Sequence, residues 1–362
     1  MRLALTAGGT GGHILPALAV YDALLARGIH ADVRFFGPED RGERARVEAK
    51  GIPFEPVPAA AVRGKGPLSL AKAMLRLAGG TLAAARSLRA FRPDAVFSTG
   101  GYASFPTSVA ARLLRRPLVV YLPDVSPGWA VRAETRLATR MATTAEAALA
   151  FLPARKTVIT GYPVRAAFFD QDRSQARAAL GLASDARVLV VAGATQGAKA
   201  INAAIFAALP ALLPSVTVFH VTGPADAPRA QDLRDALEPA LAARYQPAAF
   251  REDLPTIMVA ADLAVMRAGA SVLGELPAAK LPSILVPGTF AGGHQRDNAR
   301  FLADGGAAVV LEEADLAGLT ALAESLLSNP ARLAAMRDAA AALARPGAAS
   351  AIVDVLLEGA KR

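Results

Sequence analysis

A run of glycines that ends in a histidine follows the first apolar segment of the chain. Residues 2–6 predict a strand, residues 8–13 read Gly-Gly-Thr-Gly-Gly-His, and a helical pattern comes next. At a turn from strand to helix, backbone N–H groups and the helix dipole attract an anionic or polar ligand. The spacing differs from the G-x-G-x-x-G dinucleotide fingerprint, which disfavours NAD. Residues 8–13 therefore predict a ligand-binding turn, with tight packing alone as the alternative.

His13 would lie in the first turn of that helix. A neutral imidazole in this place can take a proton from a sugar hydroxyl, which is general base catalysis. A purely structural histidine is the alternative. The position beside the glycine run favours a direct role in an active site.

Polar residues also follow other predicted strands, at the edge where open α/β sheets bind ligands. Tyr102 follows a Gly-Gly pair after strand 94–98, and the sequence Thr-Gln-Gly at 195–197 follows strand 187–192. Hydroxyl, amide and backbone N–H groups at 195–197 suit a diphosphate. Glu275 comes shortly after residues 267–270, where its carboxylate suits ribose hydroxyls; a solvated helix face is the alternative.

Short β-rich runs alternate with longer helical patterns throughout the 362 residues. This alternation is typical of parallel sheets, and the length exceeds what one hydrophobic core usually supports. We predict an α/β protein with two Rossmann-like, doubly wound parallel-sheet domains that face each other across a cleft. The first domain would be residues 1–162 and the second 163–345, with a helix in residues 346–362. The predicted strands are residues 2–6, 31–36, 94–98, 117–122, 157–160, 187–192, 216–221, 262–266, 282–286 and 307–311.

Composition excludes several classes of protein. The chain has no cysteine and four histidines without metal-ligand spacing, so we predict neither disulfides nor a metal site. No apolar run reaches the roughly 18 residues of a membrane span, and no signal peptide is recognisable, so we expect a cytoplasmic protein. Aromatic residues make up only 6% and no nucleic-acid-binding motif is present, which disfavours a nucleic-acid partner.

The positive charge of the chain lies in its first half. Residues 1–160 contain 22 Lys and Arg against 11 Asp and Glu, and the whole chain has a net charge of +9. This asymmetry favours an anionic partner for the first half. A general enrichment in arginine is the alternative.

A basic amphipathic stretch runs from residue 68 to residue 89. Leucines and Met74 alternate there with Lys72, Arg76 and two further arginines. Such a stretch can lie on an anionic membrane leaflet. A core helix is the alternative, and Gly79 with Gly80 is expected to interrupt the helical pattern.

Together, these motifs resemble those of the MurG family of N-acetylglucosaminyltransferases, over nearly the full length of the chain. The matching segments are residues 8–13, 63–66, 100–102, 161–165, 193–198, 267–275, Asn202, His294, Gln295 and Asn298. The resemblance implies a GT-B fold and inverting transfer of N-acetylglucosamine from UDP-N-acetylglucosamine to an undecaprenyl-diphosphate-linked muramyl-pentapeptide. It also implies no metal or other cofactor, peripheral binding to the cytoplasmic face of an anionic membrane, and a final helix that packs on the first domain.

The resemblance further implies roles for individual residues. His13 would be the catalytic base, with Thr10 and Tyr102 facing the acceptor. Glu275 would bind the ribose of the donor. The other donor-binding residues would be Gly11, Gly12, Arg165, Thr195, Gln196, Gly197, Asn202, Phe250, Arg251, Arg267, Gly269, Ala270, His294 and Gln295. Among these, Thr195 and Gln196 would bind the diphosphate, the backbone near Phe250 and Arg251 the uracil, and His294 and Gln295 the donor sugar.

The chain departs from the family pattern at one place. Where the family commonly has His-Glu-Gln-Asn, residues 121–124 read Tyr-Leu-Pro-Asp. Either Asp124 takes over a polar role toward the acceptor or the acceptor differs. A GT-B transferase for another lipid or a secondary metabolite is therefore an alternative, and a UDP-N-acetylglucosamine epimerase of the same architecture is a second one.

Overall fold

The computed structural model describes residues 1–8, 11–39, 43–61, 66–193, 198–288 and 293–361. The chain forms two compact units. The first consists of Met1–Val164 together with Gly347–Arg362, and the second of Arg165–Pro346. The division between the two falls two residues after the predicted one.

Strands and helices alternate along both units, in the described part of the chain. The strands are β1 (Arg2–Thr6), β2 (Asp32–Gly37), β3 (Phe54–Pro56), β4 (Ala95–Ser98), β5 (Leu118–Leu122), β6 (Arg140–Thr143), β7 (Thr157–Ile159), β8 (Arg187–Ala192), β9 (Val216–Val221), β10 (Tyr245–Ala248), β11 (Leu263–Met266), β12 (Ser283–Leu285) and β13 (Ala308–Val310). The helices are α1 (Gly11–Ala26), α2 (Glu43–Glu48), α3 (Pro67–Phe91), α4 (Phe105–Leu113), α5 (Trp129–Leu137), α6 (Arg173–Ala179), α7 (Lys199–Leu212), α8 (Ala227–Asp235), α9 (Pro239–Ala242), α10 (Leu254–Ala260), α11 (Val272–Ala278), α12 (His294–Asp304), α13 (Leu319–Leu327), α14 (Pro330–Leu343) and α15 (Ala348–Ala360).

The first unit contains a parallel sheet with the strand order β3-β2-β1-β4-β5-β6-β7. Successive side chains of a strand point to opposite faces, and helices cover both faces of a parallel sheet. Leu3 and Leu5 of β1 accordingly pack into one core, and Ala4 packs into the core on the other face. This arrangement explains why the strands are continuous apolar runs rather than alternating ones.

Helix α15 belongs to the core of the first unit. Ile352, Val353 and Leu356 are buried in the same cluster as Leu3 and Leu5 of β1. Roughly 25 cal/mol per Å² of buried apolar surface stabilises such packing. A segment far along the chain is thus an integral layer of the first sheet.

By length and mean hydropathy alone, Pro330–Ala360 is the one stretch of described residues that could cross a membrane. The structure divides this stretch into two helices. Helix α14 ends at Leu343 in the second unit and α15 begins at Ala348 in the first, with Pro346 between them. Because each helix buries its apolar side chains in a unit core, the stretch is not one continuous span.

The second unit contains a parallel sheet with the order β10-β9-β8-β11-β12-β13. Leu189, Val191 and Val265 of its central strands form one core with side chains of α7 and α13. Both units are therefore Rossmann-like α/β domains, which confirms the predicted fold class.

Ten strands agree with the sequence prediction to within one residue at either end. Three others, β3, β6 and β10, lie outside it. Strands β3 and β10 form sheet edges and each contains a proline, which cannot donate a hydrogen bond to a neighbouring strand. Strand β6 is four residues long and starts with Arg140, so it lacks an apolar run that would mark it.

Helix α3 passes through Gly79 and Gly80 without a break, so the expectation that this pair interrupts the pattern was wrong. Gly80 is required for packing. A Cβ atom on Gly80 would lie 1.9 Å from the carbonyl oxygen of Pro58, whereas a Cβ on Gly79 would meet nothing within 4 Å. Because Gly80 has no side chain, α3 can approach the backbone of Pro58 closely.

This difference predicts opposite effects of two neighbouring substitutions on stability. Gly80→Ala should lower the free energy of unfolding by about 1–3 kcal/mol, the usual cost of overpacking. Gly79→Ala, its matched control, should raise it by about 0.5–1 kcal/mol, because alanine is the better helix former. Urea unfolding followed by the fluorescence of Trp129, the only tryptophan of the chain and part of the first unit, measures both. Equal effects of the two substitutions would contradict the packing of Gly80.

Candidate functional site

Two glycine turns meet at the carboxyl ends of the neighbouring strands β1 and β4. A Cβ atom on Gly8 would lie 2.7 Å from Cα of Gly101, and one on Gly101 would lie 2.5 Å from Cα of Gly8. Gly100 and Gly101 also have φ angles of 79° and 93°, which favour glycine. The two turns therefore pack backbone against backbone, and no side chain fits between them.

His13 lies in the first turn of α1 and is fixed by Thr99 through two hydrogen bonds. Its Nδ1 is 2.8 Å from the carbonyl oxygen of Thr99, and the Thr99 hydroxyl donates to the His13 carbonyl at 2.7 Å. A carbonyl oxygen only accepts, so Nδ1 must carry the hydrogen. In the neutral ring, Nε2 then has the lone pair. The geometry gives His13 the tautomer that a general base requires at Nε2.

Tyr102, predicted for the acceptor, and Gly11 and Gly12, predicted for the donor, lie near the same strand ends. Tyr102 is half-buried and packs against a small apolar cluster that includes Leu77 of α3. Gly12, the second residue of α1, accepts a hydrogen bond from the Tyr162 hydroxyl through its carbonyl oxygen at 3.4 Å. Gly11 begins α1, and Thr10 lies outside the described residues.

Burial distinguishes the residues at 121–124, where the chain departs from the family pattern. Tyr121 and Leu122 end β5 and are 0% and 1% exposed, and the Tyr121 hydroxyl lies 2.7 Å from that of Thr144. Burial raises the pKa of Tyr121, and the negative charge of Asp124 adds to this shift. Asp124 itself is only half-buried. Of these three residues, Asp124 is therefore the one that can contact a ligand.

In the second unit, Glu275 lies in the first turn of α11. It is half-buried, and burial raises the pKa of its carboxyl group. The positive charge of Arg165 and a hydrogen bond with the Ser271 side chain oppose this shift. A carboxylate held between an arginine and a hydroxyl in a helix N-terminal turn can accept hydrogen bonds from a diol, as the ribose prediction requires.

The turn after β11 is tied to the elements around it. Arg267 forms an ion pair with Glu313 and donates to the carbonyl oxygen of Val286. Asn298 of α12 is fully buried and donates to the carbonyl oxygen of Ala268 at 3.0 Å. Gly269 and Ala270 continue this turn into α11. Arg267 is thus held by protein groups and shapes the turn that precedes Glu275.

Asn202 is fully buried in a hydrogen-bond network on α7. Its amide nitrogen donates to the Thr222 carbonyl oxygen at 2.8 Å and to the Asp226 carboxylate at 2.7 Å. Its amide oxygen therefore faces His220, whose Nε2 donates at 3.0 Å. Nδ1 of His220 then accepts from the Tyr245 hydroxyl, and burial lowers the pKa of this histidine to about 4. Asn202 orients the start of α7 through these bonds.

Phe250 and Arg251 follow β10. Phe250 is 67% exposed. Arg251 donates to both carboxylate oxygens of Asp253, at 2.8 and 2.6 Å, and lies over the ring of Phe219. The Arg251 side chain is thus paired within the protein, beside the backbone to which the resemblance assigns the uracil.

His294 and Gln295 open helix α12, next to β12. The side-chain oxygen of Gln295 accepts a hydrogen bond from the backbone N–H of Gly288 at 2.8 Å, and His294 is half-buried. Thr195, Gln196 and Gly197 lie outside the described residues, as does the segment 62–65.

Within each unit, the described candidate residues gather at or just beyond the carboxyl ends of the parallel strands. Two residues that assist them, Thr99 and Ser271, were not predicted from the sequence. Thr99 could have been suspected because it joins β4 to the glycine pair, and Ser271 because it precedes α11. The first unit thus offers a base and the second a cluster suited to a nucleotide sugar.

Two family profiles match the chain: the glycosyltransferase family 28 N-terminal domain over residues 3–143, and the glycosyltransferase family 28 C-terminal domain over residues 187–352. The first profile falls within the first unit, and the second covers most of the second unit and the first six residues of the segment 347–362, which belongs to the first unit. The fold and these matches define a GT-B glycosyltransferase.

The relatives narrow this class. The chain is 37% identical, over 98% of its length and 94% of the relative's, to the UDP-N-acetylglucosamine–N-acetylmuramyl-(pentapeptide) pyrophosphoryl-undecaprenol N-acetylglucosamine transferase of Roseiflexus sp. (strain RS-1). The crystal structure of MurG from Acinetobacter baumannii is similar with a TM-score of 0.76 and 26% identity, over 99% of both chains. The chain belongs to the MurG family.

A UDP-N-acetylglucosamine 2-epimerase from Neisseria meningitidis is also similar in structure. The TM-score is 0.68 at 14% identity, over 99% of this chain and 100% of the other. At this identity the similarity shows a shared fold alone, because one fold hosts different chemistries.

The position of Glu275 predicts a loss of nucleotide affinity when its carboxylate is removed. Glu275→Ala should weaken binding of UDP-N-acetylglucosamine by about 1–3 kcal/mol, the usual value for a hydrogen bond to a charged group. Calorimetric titration measures the affinity, and circular dichroism checks the fold. Glu324→Ala, which removes an exposed carboxylate of α13, is the matched control and should bind normally. Unchanged affinity of Glu275→Ala would remove this residue from the ribose site.

Proposed function

We propose that this protein transfers N-acetylglucosamine from UDP-N-acetylglucosamine to an undecaprenyl-diphosphate-linked muramyl-pentapeptide, with inversion at the anomeric carbon. The observation that carries the proposal is the hydrogen bond from His13 Nδ1 to the Thr99 carbonyl oxygen, which leaves Nε2 as the basic atom. Membership of the MurG family supports the choice of donor and acceptor. The first unit supplies acceptor groups, and the second supplies donor groups.

The reaction is a single displacement. His13 Nε2 takes the proton of the acceptor hydroxyl while the hydroxyl oxygen forms a bond to the anomeric carbon. The bond between that carbon and the diphosphate oxygen breaks, and UDP leaves with the electron pair. Thr99 holds the imidazole in place and stabilises the imidazolium through the same carbonyl oxygen. Glu275 and Arg165 hold the nucleotide part of the donor.

Asp124 is the acceptor-side residue for which this chain differs from the common family pattern. Its neighbours Tyr121 and Leu122 are buried in the sheet, so they contribute no ligand contact. We assign to Asp124 a polar contact with the acceptor. No divalent metal and no nucleic acid form part of the proposal.

Product analysis tests the proposed reaction. The protein is incubated with UDP-N-acetylglucosamine labelled in the sugar, with and without the lipid-linked muramyl-pentapeptide, and with EDTA in a parallel sample. We expect labelled lipid only when the acceptor is present, at the same rate in EDTA. Conversion of the donor sugar to its epimer without acceptor would instead favour an epimerase. Transfer only to another lipid would show that the proposed acceptor is wrong.

Removal of the base predicts a loss of turnover without a loss of binding. His13→Ala should reduce turnover by roughly 10²–10⁴-fold, the usual contribution of general base catalysis, with near-normal donor affinity. His30→Ala, which removes an exposed histidine just beyond α1, should retain full activity. Steady-state rates at saturating substrate concentrations show whether His13 is the base or only a positioning residue. A reduction smaller than about tenfold would make His13 a positioning residue and Asp124 the next candidate for the base.

We also propose that α3 binds the first unit to the cytoplasmic face of an anionic membrane. The exposed side chains Leu68 (82%), Leu75 (74%) and Leu82 (63%) do not belong to the core, whereas Leu77 and Leu88 of the same helix are buried. Lys72 and Arg76 are exposed beside the apolar ones. Apolar side chains flanked by basic ones suit the boundary between headgroups and acyl chains. This localisation rests on the surface of α3 rather than on any membrane span.

Charge reversal on α3 should therefore weaken binding to vesicles. Lys72→Glu with Arg76→Glu should lower association with anionic vesicles, because each basic residue near the surface is worth about 1 kcal/mol. Sedimentation with anionic and neutral vesicles measures binding, and added salt should reduce it as the Debye length falls from roughly 10 Å at 0.1 M to about 3 Å at 1 M.

A control with the same change in net charge is available in the second unit. Arg332→Glu with Arg345→Glu, at exposed positions of and just after α14, should leave vesicle binding nearly unchanged. Both double variants should use an acceptor analogue that lacks the long lipid normally. Equal binding of the wild type to neutral and anionic vesicles would rule out this docking surface.

A further inference from the structure

A buried carboxylate in the first unit is surrounded by serine hydroxyls. Glu134 of α5 is 0% exposed. The Ser108 hydroxyl donates to its Oε1 at 2.7 Å, and those of Ser104 and Ser98 lie 2.9 and 3.2 Å from the same oxygen. Ser98 also lies 3.1 Å from Oε2. Neither Glu134 nor these serines belong to the residues assigned above to donor, acceptor or base.

The neutral and ionised forms of Glu134 are both accessible near neutral pH. Burial raises the pKa of its carboxyl group to about 7, and hydrogen bonds from Ser108, Ser104 and Ser98 partly oppose the shift. These three side chains come from β4, the turn after it and α4. Among the described residues, no charged side chain contributes to the shift.

The serines connect Glu134 to the glycine turn. The backbone N–H of Gly100 donates to the Ser98 hydroxyl oxygen at 3.1 Å. The Ser104 hydroxyl lies 2.8 Å from the carbonyl oxygen of Gly101 as well as 2.9 Å from Glu134 Oε1. Val131, one helical turn before Glu134, fills the space beside Gly100, where a Cβ atom would lie 2.4 Å from Cγ2 of Val131.

The Ser104 hydroxyl has one hydrogen and two neighbouring acceptors. When Glu134 is ionised, it carries no hydrogen, so the 2.9 Å contact between the Ser104 hydroxyl oxygen and Oε1 requires the hydrogen of Ser104. The Ser104 hydroxyl then no longer donates to the Gly101 carbonyl oxygen. When Glu134 is protonated, its own hydrogen fills the gap to Ser104, and Ser104 then donates to Gly101. The Gly101 carbonyl oxygen also accepts from the backbone N–H of Ser104 at 3.3 Å. The charge of Glu134 therefore decides whether this carbonyl has one hydrogen bond or two.

The affected turn is part of the candidate site. Gly101 packs on Gly8, Thr99 accepts the hydrogen of His13 Nδ1, and Tyr102 follows directly. A looser Gly101 carbonyl would shift the surface that meets the acceptor, whereas most candidate donor residues, Glu275 among them, lie in the other unit.

We propose that Glu134 is a positioning residue for the acceptor, which holds the turn of residues 98–101 through the Ser104 hydroxyl more firmly when it is protonated than when it is ionised. The inference rests on the proposed function for its kinetic consequence. It predicts that KM for the acceptor rises as the pH increases through about 7, while KM for the donor changes little with Glu134. The decisive comparison is between variants that keep His13, because they share the same proposed base.

The closing experiment measures acceptor KM from pH 6 to 8.5 for the wild type, Ser104→Ala, Ser108→Ala and Glu134→Gln. Ser104 and Ser108 contact the same carboxylate oxygen, but only Ser104 also contacts Gly101, so Ser108→Ala is the matched control. Ser104→Ala should raise acceptor KM about two- to tenfold at low pH, the range for one hydrogen bond, and should abolish the rise with pH. Ser108→Ala should retain the rise. Glu134→Gln, neutral at all pH values, should keep the low KM.

Hydrogen–deuterium exchange of the peptide covering residues 98–104 provides a second measurement that needs no turnover. After correction for the intrinsic pH dependence, exchange should be faster at pH 8 than at pH 6 in the wild type and in Ser108→Ala. It should be independent of pH in Glu134→Gln and Ser104→Ala. If the wild type transferred no sugar, the proposed function would fail while exchange still tested the switch. Identical pH dependence of exchange in the wild type, Ser104→Ala and Glu134→Gln would overturn this inference.

A third measurement tests the proton itself. Because the pKa of Glu134 is about 7 when folded and about 4.5 when unfolded, the folded chain binds the extra proton between these values. The contribution of the Glu134 proton to the free energy of unfolding is therefore present at low pH and is lost as the pH rises through 7. The stability of Glu134→Gln relative to the wild type should increase from pH 5.5 to pH 8. A constant difference would show that Glu134 does not titrate there.

Discussion

The contact between the Gly8 and Gly101 backbones constrains the whole first unit. It exists because β1 and β4 are parallel neighbours and end at the same edge of the sheet. The turn between β1 and α1 and the turn between β4 and α4 are in contact. No side chain fits between these two turns. His13 and Thr99 consequently face each other across two hydrogen bonds. The tautomer of His13 is therefore a result of backbone packing rather than of a neighbouring carboxylate.

The second unit stabilises its strand ends differently, through buried amides. Asn202 links α7 to Thr222 and Asp226 after β9, and Asn298 links α12 to the turn after β11. A buried amide with satisfied donors fixes the relative orientation of two elements, because an unpaired polar group in this setting costs free energy. Candidate donor residues such as Glu275 thus lie beside turns that polar contacts hold in place.

The sequence allowed prediction of features that are local, and failed for those that depend on distant partners. Strand β1 and the glycine turn that follows it form a local pattern, and the central strands are apolar runs that can be read directly. In α3, however, Gly80 suggested a break in the helix. The sequence did not show that this glycine packs against the Pro58 carbonyl oxygen, which lies outside the helix.

The same limit applies to the candidate site. His13 was predicted from its place after the glycines, but its tautomer depends on Thr99, 86 residues away in sequence. Glu134 occupies a helix that reads as an ordinary amphipathic pattern, and only the fold brings three serines to its carboxylate. Motifs indicate which residues meet a ligand, while the protonation state of those residues is set by tertiary contacts.

The position of α15 in the first core also has a consequence for biosynthesis. Between Val164 and Gly347 the ribosome must produce the entire second unit before the last layer of the first sheet exists. At 5–20 residues per second, this delay is roughly 10 to 35 s. Throughout it, the faces of β1 and α1 that receive Ile352 and Leu356 remain uncovered in the nascent chain. The second unit can therefore finish folding first, and the apolar groove that receives α15 stays exposed to solvent until the last residues are made.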